Sequence, residues 1–145
     1  MGEVRDIRSG RRGAPPPLLD DSMVVTAERS APRAARHWVM RSVAGVGVGG
    51  ASNQVIELLT GELVTNAVTH GPAAAPVQVD VRVDGAVVRV AVTDEGEGTP
   101  RLQHPEPTAP SGRGMALVAA LASAWGSARR PGGGTTVWFE VDTDA

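Results

Sequence analysis

The order of elements legible in this sequence predicts an α+β fold: a two-layer sandwich with a mixed, mostly antiparallel sheet covered on one face by about three helices. Three observations predict it. Val77-Gln-Val-Asp-Val-Arg-Val83 and the valines after it alternate with a period of two around Asp84-Gly85, the pattern of a half-buried hairpin. Two stretches of helical periodicity precede that hairpin, between Ser30 and His70. A third helical stretch follows it, and two short strands close the chain.

Residues 1–20 read as a flexible basic tail, with Arg5, Arg8, Arg11 and Arg12 ahead of Pro15-Pro16-Pro17; residues 21–145 read as the folded domain. Ser22–Ala27 has the composition of a strand. Ser30 stands where a helix N-cap belongs, with Pro32 in the first turn. Up to Ala44 that helix places Ala35, Trp38, Val39, Ser42 and Val43 on one side, with Arg29, Arg33, Arg36 and Met40 largely on the other. Gly45-Val-Gly-Val-Gly-Gly50 ends it and, lacking a following Lys-Ser/Thr, is not a phosphate-binding P-loop.

A second helix is expected from Ser52 to His70, stopped by Gly71-Pro72. A turn at Asp84-Gly85 pairs Val81 with Val88, Val79 with Val90 and Val77 with Val92, all on one buried face. The same parity sends Asp94 inward at the end of its strand, followed by Glu95-Gly96-Glu-Gly98. Residues 99–111, with Pro100, Pro105, Pro107 and Pro110, form a long connection of the kind used as a lid. Ser111-Gly112-Arg113-Gly114 then precedes a helix from Met115 to Ala122, an anion-binding arrangement because free N–H groups and the helix dipole both favour negative charge. Trp125 starts a short strand, Arg130-Pro-Gly-Gly-Gly134 turns it, and Thr135–Val141 is the last strand, with Thr135, Val137, Phe139 and Val141 on one face.

Composition removes several classes of function. A chain of 145 residues is one domain, and its net charge of −2 argues against an extended nucleic-acid footprint. All 14 basic residues are arginine, so lysine chemistry is excluded. Cysteine is absent, which excludes disulfides, thiolate catalysis and cysteine-ligated metals. No stretch reaches the roughly 18–20 apolar residues of a membrane span, and no signal-peptide core opens the chain. A cytoplasmic protein is expected.

The most informative stretch is Glu62-Leu-Val-Thr-Asn66-Ala-Val-Thr-His70. Glu62, Asn66 and His70 recur every four residues, so they stack in one row on a helix. By angle the row shares its arc with Val55, Leu58, Leu59 and Leu63, while Glu57, Thr60, Gly61, Val64 and Val68 take the opposite side. Burying an unpartnered amide costs roughly 2–7 kcal/mol and a charge more, so something must meet the row there.

Four segments, ELVTNAVTHG, DEGEG, SGRGMALV and GGTTVWF, occur in the order and spacing of the GHKL, or Bergerat-fold, ATP-binding superfamily. Over about Met23 to Val141 the chain most resembles the bacterial anti-sigma-factor serine/threonine kinases. The resemblance implies that Asn66 binds Mg2+ bridging the phosphates of ATP, and that Glu62 is the general base. His70 would lie near the phosphates. Asp94 would accept the adenine amino group beside Gly96 and Gly98, Thr135 would help hold adenine, and Gly112, Arg113 and Gly114 would hold phosphate. It also implies a sigma factor and an antagonist protein substrate as partners, and a homodimer, with no nucleic-acid or membrane partner. Between Gly98 and Gly112 the only basic residue besides His104 is Arg101, fewer charges than family kinases often carry there.

Two functions compete: a kinase that phosphorylates the antagonist and sequesters the sigma factor, and a nucleotide-binding regulatory module without phosphoryl transfer. The catalytic half of a histidine kinase needs an upstream helix pair with a phosphoacceptor histidine, and His37 is the only upstream histidine.

Overall fold

The computed structural model describes residues 15–96 and 110–145, the side chains of 110–113 excepted. Within them run β1 (Leu19–Thr26), α1 (Ala31–Ala44), α2 (Gly50–His70), β2 (Pro76–Asp84), β3 (Val87–Asp94), α3 (Pro110–Leu121), β4 (Ala124–Arg129) and β5 (Thr135–Asp142). The strands form one five-stranded sheet in the order β1-β2-β3-β5-β4. All four pairings are antiparallel. The three helices pack on one face of it, so the expected two-layer α+β sandwich is the fold.

β-branched residues make the sheet. Val77, Val79, Val81 and Val83 of β2, Val88, Val90 and Val92 of β3, and Val137, Phe139 and Val141 of β5 point inward and are buried. Met23 and Val25 of β1 pack against the same core. The other face carries mostly polar and small residues, apart from the exposed Val24, the half-buried Val87 and one aromatic residue. Trp138 lies across Gly126 of the neighbouring strand, where a built Cβ would come within 2.8 Å of the indole. The Arg89 guanidinium sits 4.0 Å above the Trp138 ring and pairs with Glu140 at 3.0 Å. The indole fills the gap that glycine leaves on the edge strand.

Several boundaries and pairings differ from the sequence expectation. β1 begins at Leu19, inside the span read as tail, and the Leu18 N–H donates to the Val83 carbonyl at 2.8 Å. Residues 1–14 lie outside the described residues. The hairpin turn is Gly85-Ala86 rather than Asp84-Gly85, with Gly85 at φ +60°. Val83 therefore pairs with Val88, Val81 with Val90 and Val79 with Val92. A turn moved by one residue changes each partner by two, which preserves the side-chain faces. Ser30 occupies the N-cap position of α1 but makes no side-chain cap; its hydroxyl donates to Glu28 at 3.3 Å.

Helix α2 is buried more widely than its leucine stripe suggested. Leu59 and Leu63 are buried as expected, but Leu58 is 41% exposed. Thr60, Gly61 and Val64, assigned to the far side, are buried where α1 packs on α2. A Cβ on Gly61 would meet the Arg36 stem at 2.8 Å, so this mid-helix glycine admits the α1 arginine. Asn53, 9% exposed, donates to the carbonyls of Met40 at 3.2 Å and Val48 at 2.9 Å, which ties the end of α1 to α2.

After α2 the chain crosses to β2 through Pro72–Ala75, held by Ala74 N–H to the Ala27 carbonyl at 3.1 Å and Ala27 N–H to the Ala75 carbonyl at 2.8 Å. Ala74 sits at φ +60°, a conformation that costs an L-residue about 1–2 kcal/mol. Ala74→Gly is expected to stabilise the protein by about 0.5 kcal/mol, since relief of that cost exceeds the added unfolded-chain entropy. Urea unfolding would read the change; a loss of stability would contradict the strain.

Candidate functional site

The candidate site lies at the end of the sheet where β3 finishes and β5 begins. Asp94 and Thr135 are cross-strand partners there, and both follow the inward parity of their strands. Asp94 is half-buried. Its Oδ1 accepts the Gly96 N–H at 2.6 Å, which fixes the carboxylate and leaves Oδ2 without a hydrogen bond among the described residues. Thr135 is 2% exposed, and its hydroxyl donates to the Gly96 carbonyl at 3.2 Å.

Three glycines close around Asp94. Gly71, directly after α2, has room for no side chain: its Cβ would stand 3.4 Å from the Asp94 Cγ and 2.6 Å from the Ala67 carbonyl oxygen. A Cβ on Gly96 would come to 2.8 Å of Asp94 Oδ1. Gly134 adopts φ +92°, and a Cβ there would lie 2.5 Å from the Asp94 carbonyl oxygen. The sequence places Gly96, and Gly134 with Thr135, among the segments of this site, and reads Gly71 as a helix stop at the end of the ELVTNAVTHG segment. Spacing gives no sign that Gly71 and Gly134 meet Asp94, because both contacts are tertiary.

Helix α2 supplies the second part of the site. Glu62 and Asn66 are half-buried on the flank of the helix, not along its most buried stripe. The carboxylate of Glu62 lies against the start of α3, where a Cβ on Gly114 would be 2.6 Å from Oε1. The Asn66 amide makes no hydrogen bond to another described residue, and neither does the Glu62 carboxylate. His70 is exposed in the last turn, and its backbone carbonyl oxygen lies 3.6 Å from a Cβ built on Gly96.

Helix α3 begins at Pro110, so the Gly112-Arg113-Gly114 segment lies inside its first turns rather than ahead of them. Gly112 is among the first four residues, whose N–H groups have no intrahelical acceptor, whereas Gly114 is past them. The Arg113 side chain and Gly98 lie outside the described residues.

No cluster of three or more His, Cys, Asp or Glu able to hold a metal occurs among the described residues. A divalent ion held mainly by nucleotide oxygens and one protein amide suits this donor set. The Asn66 amide, without a hydrogen-bond partner among the described residues, fits such a ligand.

The Glu62–Asn66 flank of α2 beside the start of α3, and Asp94 among glycines at the end of the sheet, are the two parts of this candidate site in a two-layer α+β domain. The chain belongs to the histidine kinase-like ATPase domain family, which it matches over residues 25–141. Membership implies ATP as the nucleotide. A search of curated proteins found no match. Among solved structures the chain is similar in fold to the RsbU and RsbW domains of Rv1364c from Mycobacterium tuberculosis, with a TM-score of 0.66 and 24% identity. The match covers 86% of this chain and spans 32% of that one. No helix of the described residues is long and apolar enough to cross a membrane.

Proposed function

We propose that this protein binds ATP with Mg2+ and transfers the γ-phosphate to a serine or threonine of an antagonist protein, and that it sequesters a sigma factor. The observation that carries the reading is the pairing of two parts on one scaffold: Asp94 in its glycine recess, and the Glu62–Asn66 flank of α2 against the start of α3. Asp94 Oδ2 is the acceptor for the adenine amino group, and Thr135 and Gly96 line the base. Asn66 holds the metal, whose chemistry is neutralisation of phosphate charge. Glu62 takes the proton of the attacking hydroxyl as its oxygen bonds to the γ-phosphorus and the bridging P–O bond to the β-phosphate breaks, releasing ADP. The amide of Gly112 and the Arg113 guanidinium hold phosphate, with His70 beside them. Homodimerisation, which rests on the resemblance of the sequence motifs, and a cytoplasmic location, which rests on the lack of a membrane-span or signal-peptide pattern in the sequence, complete the reading.

Thermal unfolding with nucleotide tests the binding half. At a hundredfold excess over Kd, ATP with Mg2+ is expected to raise Tm by roughly 5–10 °C. Asp94→Asn should remove most of the shift, and Asn66→Ala the part that depends on Mg2+. An unchanged shift in both variants would overturn the site. Binding without transfer to any acceptor would instead favour the regulatory module.

A further inference from the structure

We infer that Gly114 is a positioning residue for the general base: its missing side chain is the space in which the Glu62 carboxylate lies, so the start of α3 sets where that carboxylate stands. The inference rests on the phosphoryl-transfer reading above. Gly114 is the fifth residue of α3 and is buried. Its φ is not in the left-handed region, so the backbone does not require glycine. Helix propensity disfavours it, because glycine inside a helix is less stable than alanine. Space requires it. A Cβ at position 114 would stand 2.6 Å from Glu62 Oε1 and 3.7 Å from Glu62 Cβ and Cδ. The backbone of α3 aside, these three atoms are its nearest neighbours.

The kind of atom in the way decides what a side chain would do. At Gly134 it is the Asp94 carbonyl oxygen, part of a strand that holds its place. At Gly114 it is the end of a side chain with rotatable bonds, and the Glu62 carboxylate has no hydrogen bond to another described residue. An added methyl group therefore leaves the helices where they are and turns the carboxylate away. A general base acts only within hydrogen-bond reach of the hydroxyl it deprotonates, and a misplacement of about 1 Å can cost on the order of a hundredfold in rate.

Slow hydrolysis of labelled ATP with Mg2+ tests this with the protein and nucleotide alone. Water replaces the acceptor hydroxyl: its oxygen bonds to the γ-phosphorus, its proton passes to Glu62, and the bridging P–O bond breaks to release ADP. Gly114→Ala is expected to slow the single-turnover rate by roughly ten- to a hundredfold, with ATP affinity and Tm at or above wild-type values. In a Glu62→Gln background the same substitution should cost nothing further, since no base is left to displace. Gly114→Ser adds the same Cβ, carries the same expectation and serves if Gly114→Ala does not fold. A wild-type rate in Gly114→Ala would overturn the positioning role while Glu62 stands as the base. An equal further loss in the Glu62→Gln background, or a loss of ATP affinity that matches the loss of rate, would make Gly114 a nucleotide contact instead. Wild-type protein that binds ATP without hydrolysing it, or Glu62→Gln at the wild-type rate, would overturn the base and this inference together.

Discussion

Glu62→Gln is expected to slow transfer of the γ-phosphate by about a hundred- to ten-thousandfold, the usual contribution of a positioned general base, with nucleotide affinity near that of wild type. The substitution keeps the shape of the side chain and removes its ability to take a proton. Position supports the separation of effects. Glu62 lies against Gly114 at the start of α3, whereas Asp94 and Thr135 lie at the end of the sheet beside Gly71 and Gly96. Single-turnover transfer of labelled phosphate to an acceptor serine, measured beside a binding titration, reads the two quantities independently. Transfer at the wild-type rate would remove Glu62 from the mechanism. Loss of affinity equal to the loss of rate would make it a binding residue instead.

Phe139→Ala is expected to destabilise the protein by about 3–5 kcal/mol, a large part of the roughly 5–15 kcal/mol that holds a domain together. Phe139 is the only phenylalanine in the chain and is fully buried. It stands in β5, between Val90 of β3 and Trp125 of β4, under the helical layer. A cavity opened there is walled by two hydrogen-bonded neighbours, so the backbone has little freedom to collapse into it. Urea unfolding, with the slope checked for two-state behaviour, measures the loss. A cost below about 1 kcal/mol would mean that the core repacks freely, contrary to close packing in protein interiors.

Much of the fold was legible because valine alternation is a local signal. It located β2 and β3 and fixed which face is buried, and Asp94 follows from that parity. The turn residue was misplaced by one, since Asp84-Gly85 and Gly85-Ala86 both satisfy local turn preferences. Because the resulting slip is even, the error left every face intact. The burial of α2 was less legible. Its leucines suggested one stripe, but Thr60, Gly61 and Val64 are covered by α1, and a helix covered on two sides loses the contrast that periodicity reads. Ser30 shows a similar limit: a capping residue at the right position turns to Glu28 instead. Glu62, Asn66, Asp94, Gly96 and Thr135 were readable as motif residues. The packing of Gly71 and Gly134 against Asp94 joins segments far apart in sequence, and no spacing rule reports such a contact.

The placement of the aromatic residues makes the domain its own optical probe. Tyrosine is absent, so near-ultraviolet emission arises from three tryptophans alone. Trp38 sits on α1, Trp125 shares the inner face of the sheet with Phe139, and Trp138 lies on the outer face under Arg89. None of them belongs to the cluster formed by Asp94, Gly96, Gly71 and Thr135. A spectral change on adding nucleotide would therefore report a rearrangement transmitted through the sheet or helices rather than contact with the base. Equally, a silent spectrum would be no argument against binding, and heat of mixing is the more direct observable for this pocket.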